Sequence, residues 1–276
     1  MCILGKQLIQ PYSERCPIIP TTSAPVRRPR PYLALTLTTI GLVVFLGAVG
    51  TISYLLGFPG YLPLAAAYIP LTAAIIISLS VRRRWHATGF CPVDMKRSGV
   101  RTAMVLVAAL PIGVIVSSGG FAANGMQIIE FAGLALLVGF VEEVFFRGIL
   151  LRLFASRSPW VGVVATSVGF AVAHSAAALS PDQSLAVSIT TVVFAFLFGV
   201  IAATLVRKTG SIWTAIALHA TFDFVGFVLT PRSVEITNTV SIAVAAALIL
   251  ILVRASRQRT GAPPLEGSET KAPLPL

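Results

Sequence analysis

The chain has 276 residues, 56% of them hydrophobic before glycine is counted and only 11% charged, with a mean hydropathy of +0.88. Adding the 22 glycines brings the apolar share to about 64%, against roughly 45–50% for a soluble domain, so lipid must be the solvent for most of the chain. The same numbers exclude disordered, collagen-like and disulfide-rich classes, while 21 Lys+Arg against 10 Asp+Glu leave a net charge of +11 whose meaning depends on where the charges fall.

Residues 1–31 are polar and proline-rich and read as a disordered cytoplasmic tail rather than a signal peptide, because the first apolar run is too long for a cleavable h-region. A bilayer core of about 30 Å needs about 20 apolar residues in a helix. Eight segments answer to that: 33–56, 62–81, 102–119, 128–152, 160–179, 184–206, 211–230 and 238–254. The third carries Pro111 and is the weakest. The alternating segments of a β-barrel are absent, so the fold expected is all-α, a polytopic transmembrane bundle of about eight helices. The chain divides into the N-terminal tail, three transmembrane helices in 32–127, a core in 128–230, a last helix in 231–255 and a second disordered cytoplasmic tail in 256–276. The three cysteines, Cys2, Cys16 and Cys91, offer neither a disulfide framework nor a CxxC zinc pair.

The basic residues then sort by side. Lys6, Arg15, Arg27, Arg28 and Arg30 precede span one, and Arg82, Arg83, Arg84, Lys96, Arg97 and Arg101 lie between spans two and three. Arg152 and Arg157 follow span four, Arg207 and Lys208 follow span six, and Arg254, Arg257, Arg259 and Lys271 follow span eight. The intervening connections hold only Arg232. Every other loop is basic, as expected of an even-numbered bundle with both ends in the cytoplasm. The charge excess is thus a topological address against anionic lipid, with no nucleic-acid partner implied. No internal repeat is evident.

A small polar set remains at membrane depth: Glu142, Glu143 and Arg147 in span four, His174 in span five, His219 and Asp223 in span seven. An ionised side chain at the bilayer centre costs about 3 kcal/mol, so three in one helix cost on the order of 9 kcal/mol before pairing. At 100° per residue Glu143 and Arg147 are an i,i+4 pair, whereas Glu142 is about 140° from Arg147. Arg147 should neutralise Glu143 and leave Glu142 for chemistry. The same periodicity stacks Phe170 with His174 and His219 with Asp223. Counting about 1.5 Å per residue, Glu142 lies about 15 Å in from Arg152 and His219 about 12 Å in from Ser211, so one pocket near the midplane is within reach of all. Phe146, Phe170 and Phe222 are the candidate substrate-pocket residues, although Phe170 alone reads as packing, and Glu130 and His86 read as solvated surface groups.

A carboxylate and an imidazole in a low-dielectric pocket share the activation of a water, and a second imidazole with a donor beside it stabilises the oxyanion that forms when the water attacks an amide. Alternatively, Glu142, His174 and His219 make a hydrolytic zinc set. HExxH and GxSxG signatures are absent.

The string Glu142-Glu143-Val144-Phe145-Phe146-Arg147-Gly148 resembles the EExxxR motif of the CPBP family, the type 2 CAAX prenyl proteases and the bacteriocin-processing and abortive-infection-like membrane proteins. Phe170 and His174 match its FxxxH motif, and His219 and Asp223 its HxxxN/D motif. The resemblance spans about residues 128–230. It implies an intramembrane endopeptidase of the glutamate type that acts on a membrane-associated protein or peptide and requires no cofactor. By that likeness Glu142, helped by His174, activates the water, His219 and position 223 form the oxyanion site, and Glu143 and Arg147 support them. The prenyl proteases carry Asn at 223; an ionised Asp223 only accepts hydrogen bonds, so it is protonated, or orients His219, or helps hold a metal. The expected location is a prokaryotic cell membrane. Two other readings use the same residues: a non-catalytic scaffold or immunity factor, and a proton-coupled transporter with a Glu/His relay. The sequence sets no oligomeric state.

Overall fold

The structure, a computed structural model, describes residues 30–93, 98–175, 184–231 and 233–260. Residues 1–29, the end of the predicted fifth span at 176–179, Lys96, Arg97, Arg232 and the tail from 261 lie outside the described residues.

Helices α1 (Pro31–Leu55) and α2 (Leu62–Val81) each form one uninterrupted apolar run, and Pro70 sits inside α2 without ending it. Pro111 does break the third span, into α3 (Ser98–Ala109) and α4 (Ile112–Ser117), because it lacks the amide hydrogen and its ring opposes a preceding carbonyl. Beyond α4 comes β1 (Ser118–Phe121). The fourth span starts as α5 (Gly125–Glu143), where Asn124 and Gln127 cap each other at 2.9 and 3.0 Å. It continues through a π-helical segment, Val144–Leu150, into the short α6 (Leu151–Leu153). Then follow α7 (Pro159–His174), α8 (Leu185–Thr209), α9 (Trp213–Val228), β2 (Leu229–Pro231) and α10 (Val234–Thr260).

Among the described residues five segments are long and apolar enough to cross a membrane: α1, α2, Gly99–Ser117, α8 and Val234–Arg254. Trp160–His174 and Trp213–Val228 are shorter apolar helices. The fold is the all-α membrane bundle expected, with one short ladder added: β1 pairs antiparallel with β2, Ser118 opposite Pro231 and Phe121 opposite Leu229. Both strands are connections leaving a helix side by side, and pairing satisfies backbone groups the helices no longer serve. Helix α10 runs on as far as Thr260, because arginine and glutamine mark a polar stretch without stopping a helix.

Apolar side chains face outwards, as lipid contact allows: Tyr54 is 83% and Leu55 75% exposed. Inside, α8 is central, with Ile201, Ala202, Ala203 and Leu205 fully buried among neighbours from several helices. Lipid tails supply no hydrophobic drive between helices, so close packing of small residues holds the bundle. The contact that places the site is α5 against α9. At Gly139 a β-carbon would lie 3.2 Å from the Ala220 backbone nitrogen and 3.3 Å from His219 Cβ, so glycine sets the spacing of these helices.

The loop after α2, unassigned from the sequence, folds under the bundle. Ile212 N donates to Gly89 O at 2.9 Å, and Ser211 Oγ to Cys91 O at 2.6 Å. Gly89 takes φ +97°, a conformation L side chains rarely adopt. A β-carbon there would also meet Arg152 Nη2 at 2.5 Å. The described part of the predicted basic loop, 82–93, therefore shares one end of the molecule with Arg152 and with 207–212.

Candidate active site

Four helical elements deliver the polar set to one place. The last turn of α5 carries Glu142 and Glu143, the π-helical segment Arg147, the last turn of α7 His174, and the middle of α9 His219 and Asp223. Glu143 and Arg147 are fully buried, and Glu142 and His219 nearly so.

Arg147 Nη1 donates to Glu143 Oε1 at 2.9 Å, the i,i+4 pair expected. The guanidinium also lies over the Phe170 ring, Cζ 4.4 Å from its centroid, a contact worth more where water is excluded. His219 Nδ1 lies 2.9 Å from the same Glu143 oxygen. Glu143 thus holds both a guanidinium and an imidazole, where the helix arithmetic assigned it Arg147 alone.

Glu142 is arranged differently. Its Oε1 accepts from the Tyr68 hydroxyl of α2, while its buried Oε2 receives no hydrogen bond among the described residues. That oxygen is 4.0 Å from His174 Nε2 and 3.9 Å from His219 Nε2. His174 Nδ1 lies 2.9 Å from the Phe170 carbonyl. A carbonyl only accepts, so Nδ1 carries a hydrogen and Nε2 is the ring nitrogen turned towards Glu142. Asp223 Oδ2 is 3.5 Å from His219 Nε2, on the side opposite Glu143.

Two cavities flank this cluster. One of about 190 Å³ is lined by Tyr68, Glu142, Phe146, His174 and Thr191 together with Leu42 and Leu46 of α1. The other, about 210 Å³, is lined by Phe170, His174, Thr191, Phe198, His219, Phe222, Asp223 and Asn238. His174 and Thr191 line both. The predicted polar residues and the three phenylalanines therefore come together.

Tyr68, Thr191 and Asn238 were not anticipated. Thr191 Oγ1 accepts from Asn238 Nδ2 at 2.9 Å, which ties α8 to α10 at the cavity wall. Tyr68 carried one signal, its place in mid-span rather than at an interface where tyrosines usually lie. Thr191 and Asn238 carried none. Glu130 proves half-buried beside the Tyr61 hydroxyl, whose pKa this neighbour raises, whereas His86 is exposed with Nδ1 3.9 Å from Cys91 Sγ.

Ligands about 2.0–2.2 Å from a tetrahedral zinc sit roughly 3.4 Å apart, closer than the Glu142–imidazole separations. Among the described residues no three His, Cys, Asp or Glu side chains form a group that could hold a metal. The spacing also admits a hydrogen-bonded water between these groups.

Residues 124–225 match the model of the family described as type II CAAX prenyl endopeptidase Rce1-like. The matched stretch contains all three motifs and leaves Tyr68 and Asn238 outside it. No curated protein matches the chain. From Asn124 to Val225, then, the chain is similar to the type II CAAX prenyl endopeptidase Rce1-like family, and this stretch is carried in a helical integral membrane protein.

Proposed function

We propose that the chain is an intramembrane endopeptidase that hydrolyses a peptide bond of a membrane-associated protein or peptide, using a water activated by Glu142 and His174. The observation that carries this reading is the buried Oε2 of Glu142, with imidazole Nε2 atoms at 4.0 and 3.9 Å. A water between these groups donates one hydrogen to the carboxylate and the other to His174 Nε2. As its oxygen bonds to the substrate carbonyl carbon, Glu142 takes a proton, and the carbonyl oxygen becomes an oxyanion. The C–N bond then breaks and Glu142 returns the proton to the leaving nitrogen. Tyr68 fixes the non-reacting oxygen of Glu142 throughout.

His219 supports the oxyanion. Its Nδ1 donates to Glu143, and its Nε2, as an imidazolium N–H, faces the cavity. Glu143 occupies the orienting position on His219, so Asp223 acts on the cavity side of the ring, and Arg147 neutralises Glu143. No step runs through a metal.

In the same reading the chain crosses the bilayer eight times with both termini on the cytoplasmic side. Two contacts support that topology: β1 and β2 pair at one end, and the basic loops at Gly89–Cys91 and Ser211–Ile212 bond to each other.

The test is purified protein in proteoliposomes with a farnesylated peptide ending in Cys-aliphatic-aliphatic-X, alongside comparison of peptide termini in host membranes carrying wild type or Glu142→Gln. Glu142→Gln should abolish every wild-type cleavage without lowering the melting temperature. Cleavage that survives the substitution removes the assignment. Wild-type protein that cuts nothing in either assay, with a phenotype indifferent to Glu142→Gln, favours the scaffold instead.

A further inference from the structure

A cavity of about 290 Å³, larger than either at the candidate active site, opens between α7, α8 and α10. Its walls are apolar: Val163 from α7, Val200 from α8, Ile249 and Leu252 from α10. Its mouth is not. Arg207 and Lys208, in the last turn of α8, line it together with Trp160 in the first turn of α7. Trp160 is 56% exposed, the amphipathic indole expected where a bilayer meets water.

Two cations in the last turn of a helix are ordinarily explained by the helix dipole and by side preference in membranes. Neither explanation requires them to border an apolar slot that runs from the membrane surface inward. An occupant matched to both parts needs a negative head at the level of Arg207 and Lys208 and a hydrocarbon chain against Val163, Val200, Ile249 and Leu252. A soluble anion has no use for the slot, and a neutral lipid has none for the cations.

The geometry points to a binding site for one anionic phospholipid, its phosphate held by Arg207 and Lys208 and an acyl chain lodged between α7, α8 and α10. Because α7 carries His174 at its far end and α8 carries Thr191, a lipid seated here braces two helices that line the candidate active site.

Native mass spectrometry of the full chain in detergent, titrated with phosphatidylglycerol or phosphatidylcholine of the same acyl chains, tests this. Wild type should retain one phosphatidylglycerol in preference to phosphatidylcholine. Arg207→Gln/Lys208→Gln should weaken that binding roughly tenfold or more. Leu252→Trp, which fills the slot and keeps both cations, should weaken it too, while Arg82→Gln/Arg83→Gln, at exposed cations elsewhere on the same end, should not. Lys208→Gln alone serves if the double variant melts early, with a loss of a fewfold expected. Glycerol 3-phosphate should not compete. Equal retention of both lipids, equal loss in the Arg82/Arg83 variant, wild-type binding in the Arg207/Lys208 variant or in the single Lys208 variant, or displacement by glycerol 3-phosphate overturns the proposal. So does a dimer that closes the slot.

Discussion

His219 Nδ1 lies 2.9 Å from Glu143 Oε1, so the carboxylate that neutralises Arg147 also sets the orientation of the imidazole facing the cavity. Breaking a buried pair leaves an uncompensated charge and typically costs 3–5 kcal/mol. Glu143→Gln is therefore expected to destabilise the protein by about that much. Glu143→Gln/Arg147→Gln should cost clearly less than the sum of the single changes. Denaturation in mixed micelles measures both, and additive losses would show that the pair is not coupled.

Tyr68→Phe removes the one donor to Glu142 Oε1 among the described residues and changes little else. A hydrogen bond to a charged group is worth about 1.5–3 kcal/mol, so turnover should fall roughly ten- to a hundredfold if the whole effect is felt in the transition state. The melting temperature should stay near wild type. A variant with full turnover would mean that Tyr68 only packs.

Gly139 and Gly133 lie on the same helix in different surroundings. A β-carbon at Gly139 presses on α9 beside His219, while one at Gly133 meets nothing within 4 Å. Gly139→Val should push α9 away and lower both stability and cleavage, with a cost of about 1–3 kcal/mol from overpacking. Gly133→Val should do neither. Equal effects would place the fault in helix propensity rather than in the α5–α9 spacing.

Chelators separate the two hydrolytic chemistries. Dialysis against 1,10-phenanthroline or EDTA should leave cleavage unchanged in the glutamate reading. Loss of activity restored by added zinc would bring the Glu142, His174 and His219 set back as metal ligands, after a shift of several tenths of an ångström.

Much of the candidate site was legible because charge is scarce at membrane depth. With so few ionisable residues inside the apolar runs, Glu142, Glu143, Arg147, His174, His219 and Asp223 could be separated from the loop charges by position alone, and 3.6-residue periodicity paired Arg147 with Glu143. Residues joined by long-range packing were not legible. Tyr68 reaches Glu142 from a helix with no local relation to it, and Asn238 meets Thr191 across two helices. Periodicity likewise cannot tell a bond five residues back from one four back, so the π-helical segment was hidden within a span of the right length. The break at Pro111 and the β1–β2 ladder turn on backbone bonding that hydropathy does not register.

The wide turn at Val144–Leu150 works as a phase shifter in the fourth span. Upstream of it, α5 aims Glu142 and Glu143 at the histidines; downstream, Leu150, Leu151 and Phe154 enter the core. The two faces have separate settings because the turn absorbs the mismatch between them. Wound as a uniform α-helix, the same residues would turn the downstream half by about 100° against the upstream one. The helix would then keep its acidic pair in place or its apolar anchor, but not both. Losing one residue between Val144 and Leu150 would close the wide turn and leave both faces where they are, whereas a deletion on either side of it would set them at odds.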